Sequence, residues 1–478
     1  MSNTKKAIIG TKWTTISTGI ATGLQFLQIA VLARLLDPAV FGLISVSTLI
    51  INFFALFANL GFTTSIIYKQ ENDKQVLSTL YLVNILLGVL FFFIIFFSAP
   101  LVVQFYHEPR LDHVIKISSS VFLIMYFGQI YSSLLQKELK FKEITITEIA
   151  SSVTGTALTI TLAYRGFEEY SLVFGGLTTQ VLRTSLQVFF GRKLFFPRLY
   201  FKFSIIREHL RFGIFNIGEG VVYYVQSNLD NLLIGNLLGV KALGFYTVAY
   251  QLAVFPINKL NPIILQVASP IVAKMKDSDS DLRRAYIKIL DVLCYFNLPL
   301  LAGLFITAES VIPLIYGPGW EETFPLIKIF VFVSIFNCLS HPIFLLVYSK
   351  GKPNLLFYIN VVVLLIKTPL VYFLGQQGHV TYIALAYLIA TFITFSLNLT
   401  VAYSLIGNFF KQFYENSLKT VTFCLLMVLA IAIYKNTVGY DGLFNTITQI
   451  AIGGMVYSLL TLRYKYSLAE LKNLRGSF

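Results

Sequence analysis

Charge is what this chain has least of. Only 13% of its 478 residues are Asp, Glu, Lys or Arg, about half the share in a water-soluble globule, so it cannot cover itself with polar surface. Its three cysteines, Cys294, Cys338 and Cys424, lie far apart inside apolar runs. That spacing argues against a disulfide framework or a thiolate metal cluster and predicts small core or lipid-facing residues. The five histidines are scattered. His107 and His113 share one connection without thiolate companions and are expected to be solvated rather than metal-bound. No GxxxxGK[ST] or GxGxxG loop is present, which argues against ATP-driven work within the chain. The adjacent Glu321 and Glu322 would point apart on a helix and make a poor acid/base pair. Connections between apolar runs stay within about 20 residues, too few for a catalytic domain outside the membrane. An enzyme is not expected.

What the chain has instead is hydrocarbon: 56% of its residues are hydrophobic. Runs of about 20 apolar residues, the length that crosses a bilayer, recur from one end to the other. Fourteen spans are expected, at roughly 12–34, 39–67, 75–98, 114–135, 144–163, 169–190, 210–235, 241–271, 284–306, 323–347, 353–374, 380–406, 415–434 and 445–463. Each should be a helix, because a backbone in lipid must satisfy its own hydrogen bonds. Lys5, Lys6 and Lys12 precede a first run rich in Thr, Gly and Gln. That run is too polar for a cleaved signal peptide and is expected to remain as the first span.

The net charge of +14 would suggest nucleic acid as a partner in a soluble protein. Here the basic residues cluster between apolar runs. With a cytoplasmic N-terminus, 27 of the 37 Lys and Arg fall on inner segments and five on outer connections (Arg34, Arg110, Arg165, Lys241, Lys435). The other five, Lys116, Arg183, Lys259, Lys328 and Lys367, fall within spans. So strong a bias predicts that both termini are cytoplasmic. The most basic connection, Gly191–Arg211, alternates bases with aromatics. It is read chiefly as a topology determinant lying at the interface, and alternatively as a hinge between two lobes.

The chain also repeats itself. Leu32–Val46 (LARLLDPAVFGLISV) returns as Ile234–Val248 (IGNLLGVKALGFYTV), with Leu35/Leu237, Leu36/Leu238, Gly42/Gly244 and Val46/Val248 all at an offset of 202. Asn59/Asn261 keep that offset, Leu77/Leu282 and Tyr81/Tyr286 match at 205, and an Ile-Lys-Ile at 115–117 returns at 327–329. Six spans per copy is an even number, so the copies share orientation: a parallel repeat. Polar stripes run along the first helix of each copy. Thr11, Thr15, Thr18, Thr22 and Gln25 mark one, and Asn216, Glu219, Tyr223, Gln226 and Asp230 the other, all at steps of three and four. Close helix packing through small residues explains the first stripe. Carboxylates at membrane depth are costly and point to function.

The remaining candidates follow from that cost. Arg183, Lys259 and Lys367 are deep cations able to bond phosphate oxygens, and Arg34 closes the first span. Glu148, Glu219, Asp230 and Asp291, with Asn231, are candidates for a coupling cation or for balancing those bases.

The segment LARLLDPAVFGLISVSTLIINFFALFANLGFTTSIIYKQ resembles the start of bacterial polysaccharide-transporter proteins, the Wzx-type flippases. NLDNLLIGNLLGVKALG at 228–244 resembles the start of that family's second lobe, and the short loop IYGPGW at 315–320 also fits. The resemblance covers nearly the whole chain. It implies the multidrug/oligosaccharidyl-lipid/polysaccharide (MOP) exporter fold, an all-α polytopic protein with two six-helix lobes and two further C-terminal helices. The expected divisions are 1–190, a basic linker at 191–209, 210–408, and 409–478. It implies flipping of a polyprenyl-diphosphate-linked oligosaccharide across the bacterial cytoplasmic membrane, with Na+ or H+ as coupling ion and no resident cofactor. A monomer is expected, with a polysaccharide polymerase and chain-length proteins as partners. Only Arg34, Asp230 and Asn231 fall on recognisable family motifs, and Asn236 stands where the family often has a base. The alternatives are a small-cation drug antiporter on the same fold and, more remotely, a membrane polymerase or glycosyltransferase. Reporter fusions at either terminus should read as cytoplasmic; an external signal from one would overturn the charge argument.

Overall fold

The computed structural model describes residues 3–58, 66–439 and 442–464, with the side chains of 3–12, 14–15, 58, 204–217 and 219 left outside the description. Long helices occupy every predicted span, and no strand occurs among the described residues. They are α1 (Asn3–Leu35), α2 (Pro38–Ala58), α3 (Lys74–Tyr106), α4 (Arg110–Lys137), α5 (Phe141–Tyr164), α6 (Glu168–Gly191), α7 (Phe203–Leu237) and α8 (Gly239–Lys274). There follow α9 (Asp279–Tyr316), α10 (Thr323–Ser340), the short α11 (Ile343–Ser349), α12 (Asn354–Gly375), α13 (Val380–Ile406), α14 (Phe410–Thr437) and α15 (Leu443–Tyr464). α10 and α11 together make one broken span, Thr323–Ser349. Twelve spans among the described residues are long and apolar enough to cross a membrane. α6 and α7 fall outside those twelve; glycine, threonine, glutamine and charge dilute α6. α6 is sheltered by packing on both α4 and α5.

Helix ends follow local chemistry. Asp37 accepts from the Ala39 N–H at 2.8 Å and Pro38 opens α2, a cap followed by the residue whose missing N–H costs nothing there. Asp73 caps α3 through Gln75 N–H at 2.7 Å. In the second copy of the hairpin Gly239, at φ +84°, makes the turn into α8, a conformation favouring glycine.

The chain forms two compact units, 1–244 and 245–478. In the first, α3 packs on α4, α4 and α5 on α6, and α1 on α5. The basic segment after α6 is strapped to this unit. Phe195, 2% exposed, enters a core with Leu77, Leu80, Ile130 and Tyr131. The Arg198 N–H donates to Ser78 Oγ at 3.1 Å. In the second unit, α10 and α12 pack on α13, and α9 carries α14 and α15. Met427, Ile431 and Tyr457 pack against Tyr295, Leu298 and Ala302. Glu309 on α9 pairs with Lys328 at 2.6 Å and Lys435 at 3.2 Å, tying α14 to the unit. The three cysteines are free and buried.

Two close approaches define the first unit. On α5 and α6 the same Gly-x-x-x-Thr pattern occurs, at Gly155/Thr159 and Gly175/Thr179. Each threonine hydroxyl donates to its own glycine's carbonyl, at 2.8 and 2.9 Å. A methyl group on Gly155 would collide with Thr179 Oγ1, and one on Gly175 with Thr159 Oγ1. The contact is reciprocal, and only glycine lets the helices come so near.

The second approach joins the repeated hairpins. A Cβ on Gly42 would strike the carbonyl oxygen of Val240, and one on Gly244 the carbonyl oxygen of Pro38. Pro38 and Val240 are themselves equivalent at the offset of 202, so the start of α8 meets α2 by a two-fold exchange of like residues. The Asn59 half of its repeat pair lies outside the described residues.

Gly155→Val should destabilise the first unit by about 1–3 kcal/mol, the usual cost of overpacking, read as a lower unfolding midpoint of the purified protein. Val at Gly218, where a Cβ meets nothing within 4 Å, is the control; an equal loss from both would refute the reciprocal contact.

Candidate functional site

The first unit holds a cavity of about 360 Å³ whose walls mix aliphatic residues such as Ile44, Ile51 and Leu172 with polar ones. Gln28 of α1, Ser47 and Thr48 of α2, Ser118 of α4, Thr159 of α5 and Thr179, Gln180 and Arg183 of α6 line it. It exists because the glycine contact draws α5 and α6 together, which turns their hydroxyls inward beside the polar side of α1. Gln28 Oε1 accepts from Thr156 Oγ1 at 3.0 Å, so a residue that lines the cavity also ties the first helix to α5.

Arg183 is the one charged residue in that lining. Its Nη2 donates to Glu148 Oε2 at 2.9 Å, with both side chains about one-third exposed. Its Nε is buried and has no hydrogen-bond partner. The guanidinium therefore keeps donor capacity after its ion pair is made. An anion with several oxygens could take it up, because a guanidinium fork fits phosphate geometry. Glu148 offsets the cost of holding the cation there while the cavity is empty.

The other predicted residues are placed separately. Arg34 is exposed in the last turn of α1, where a cation suits the negative helix end. Asp230 is 3% exposed on α7, and Asn231 beside it is half-buried. Glu219 lies outside the residues whose side chains are described, as do Thr11, Thr15 and Asn216. Lys259, half-buried on α8, sits 5.9 Å from the Phe255 ring centre; among the described residues no carboxylate pairs with it. Lys367 on α12 is 0% exposed, its ammonium 4.2 Å from the Tyr387 ring centre, within cation–π range. Asp291 is half-buried on α9. Lys116 pairs with Asp112 at 2.8 Å, one turn away. Asn236 donates to the Phe105 carbonyl, a helix-joining role. Outside the spans, Glu108 accepts from Arg110 Nε at 2.9 Å, and that bond holds its carboxyl below the usual glutamate range.

Sequence reasoning singled out Arg183 and Glu148 separately and missed their pairing. It also missed the hydroxyl lining, whose available signal was the twin Gly-x-x-x-Thr pattern.

A family model described as polysaccharide biosynthesis protein matches residues 31–325. The lipopolysaccharide biosynthesis protein WzxC of Escherichia coli (strain K12) is 32% identical over 414 residues, 86% of this chain and 84% of that protein. The teichuronic acid biosynthesis protein TuaB of Bacillus subtilis (strain 168) is 30% identical over 397 residues, 82% of each. Among solved structures, the lipid II flippase MurJ in an inward closed conformation superposes with a TM-score of 0.77 at 16% identity, over 94% of this chain and 98% of that one. An inward-facing multidrug resistance MATE family transporter of the MOP superfamily gives 0.61 at 15% identity, over 80% and 95%. These likenesses establish the MOP exporter fold. With about a third of its residues shared along most of its length, the chain belongs to the polysaccharide biosynthesis protein family of multi-pass membrane proteins.

Proposed function

We propose that the chain is a flippase moving a polyprenyl-diphosphate-linked oligosaccharide, the repeat unit of a surface polysaccharide, across the bacterial cytoplasmic membrane by alternating access. The observation that carries this reading is Arg183: a cation with an unused buried donor, in a cavity whose lining includes several hydroxyls and amides. A diphosphate is a fitting ligand for such a group, and the sugar hydroxyls that follow it find polar partners in Thr48, Thr179 and Gln180. The absence of any carboxylate from that lining disfavours the small-cation antiporter, whose cavity should be net acidic. The names of the family relatives, which place them in lipopolysaccharide and teichuronic acid biosynthesis, support a glycan cargo.

Substrate enters from the cytoplasmic side, where both termini lie, and Na+ or H+ drives the cycle; Asp230, Glu219 and Asp291 are the carboxylates available to it. The outer closure is the contact of Gly42 with Val240 and of Gly244 with Pro38. A polysaccharide polymerase and its chain-length partner receive the flipped unit. Lys259 and Lys367 serve the pathway when the cycle exposes them.

Arg183→Ala should lower glycan export at least about tenfold, the loss of one charge-assisted bond or more, with the protein still in the membrane. Arg183→Lys should recover only part, since an ammonium lacks the fork. Full export by both variants would remove the cationic cavity from the mechanism. A second test uses spin labels on Pro38→Cys and Val240→Cys in a background without the three native cysteines. Their separation should widen when lipid-linked glycan is added, and a fixed distance would sink the closure.

A further inference from the structure

A chain of polar groups crosses the apolar interior of the second unit, apart from the cavity described above. It begins where the broken span breaks. α10 ends at Ser340 because Pro342 has no N–H for the Cys338 carbonyl. His341, just before it, nevertheless holds helical dihedrals, φ −53° and ψ −41°, a conformation disfavoured ahead of proline. His341 Nδ1 lies 3.0 Å from Asn261 Nδ2 on α8. Asn297 Nδ2 on α9 reaches both Asn261 Oδ1 and the Leu293 carbonyl, each at 3.0 Å. Asn261 and Asn297 are both 0% exposed.

The direction of every bond in this chain follows from its far end. The Leu293 carbonyl can only accept, so the nitrogen of Asn297 must face it. That nitrogen's second hydrogen then meets Asn261, which must present its oxygen. The Asn261 nitrogen is left to donate to His341, so Nδ1 must be a lone pair and the imidazole is neutral with its hydrogen on Nε2. Cys338 Sγ, 3.8 Å from Asn261 Oδ1 and 4.0 Å from the Leu293 carbonyl, has one hydrogen that can serve either of these acceptors.

We propose that His341 is a proton-binding site, and that a proton added at Nδ1 releases the broken span from α8. The added proton can go nowhere else, since Nε2 already carries one. It places an N–H against the Asn261 NH2, donor facing donor. Relief requires the ring to swing away or Asn261 to flip, and the flip would set its nitrogen against the Asn297 donor. The flip would keep a bond to His341 at the cost of facing two amide donors, so the swing of the ring is the route that parts α8 from the residue just before Pro342, where the backbone is already in a disfavoured conformation. Asn297 Oδ1, buried without a partner, marks a network with spare acceptor capacity when it rearranges.

The ionisable groups on the packed elements are Lys259 on α8, Asp291 and Cys294 on α9, Lys367 on α12 and Tyr387 on α13, and none of them makes a hydrogen bond or ion pair with the imidazole, whose partner is Asn261. Its switching therefore depends on the amide chain. The use of this proton as the coupling ion rests on the transport reading above; the binding itself does not.

Hydrogen–deuterium exchange of the full-length protein in nanodiscs, read on a peptide spanning 338–349 and corrected for intrinsic exchange, tests it. Between pH 8 and pH 5 the wild-type break should open about fivefold more, the loss of one hydrogen bond. His341→Gln should show no acid response. Asn261→Asp should reverse it, because a carboxylate accepts from imidazolium and tightens in acid. A wild-type break indifferent to pH, or the wild-type acid response persisting in both variants, would overturn the proposal. Glycan export that survives deletion of the gene would instead refute the transport reading and leave the exchange result standing.

Discussion

Helices in a bilayer gain almost nothing from hiding apolar side chains against each other, because lipid is as apolar as they are. What holds this protein together must therefore be closeness and hydrogen bonding. Both appear at several of the contacts between its described helices. Gly155 and Gly175 let α5 and α6 approach until threonine hydroxyls touch the opposing backbone. Tyr224 on α7 donates its phenol to the Leu49 carbonyl on α2 at 2.7 Å. Tyr457 on α15 does the same to the Tyr295 carbonyl on α9 at 2.8 Å. The polar residues that seemed anomalous in so hydrophobic a chain are its fasteners.

The same economy explains the cavity. Polar groups on the wall of a void in an apolar protein need partners while it is empty, and here threonines bond back to their own helices while Glu148 holds Arg183 through Nη2, leaving Nε over. Such a wall is poised to exchange partners at little cost. Arg183 can turn from one carboxylate towards a larger anion without passing through an unsolvated state, because its Nε has no partner to give up.

Much of this was legible in the sequence, for reasons that differ by element. Span positions follow from run length alone, and every expected span has its helix. The repeat was legible at Gly42 and Gly244 because their equivalence rests on a glycine that nothing can replace where main chain meets main chain. Arg183 and Glu148 stood out by charge. Their pairing did not, because it depends on how α5 and α6 rotate about their axes, and Ser, Thr and Gln spread around both helices leave that rotation open. The network of Asn261, Asn297 and His341 was less legible still. Its members sit 36 and 80 residues apart, and each alone is an ordinary residue in an apolar helix.

The reciprocal contact between the hairpins has one more implication. Main chain and Cα atoms make it on both sides, so it carries no side-chain information about what the protein handles. Residues lining the cavity can change to suit another glycan without rebuilding the contact, and a change at either glycine strikes the contact whatever the glycan is. Under the proposed function, choice of cargo and the act of shutting are thereby kept on separate parts of the sequence, free to diverge at different rates.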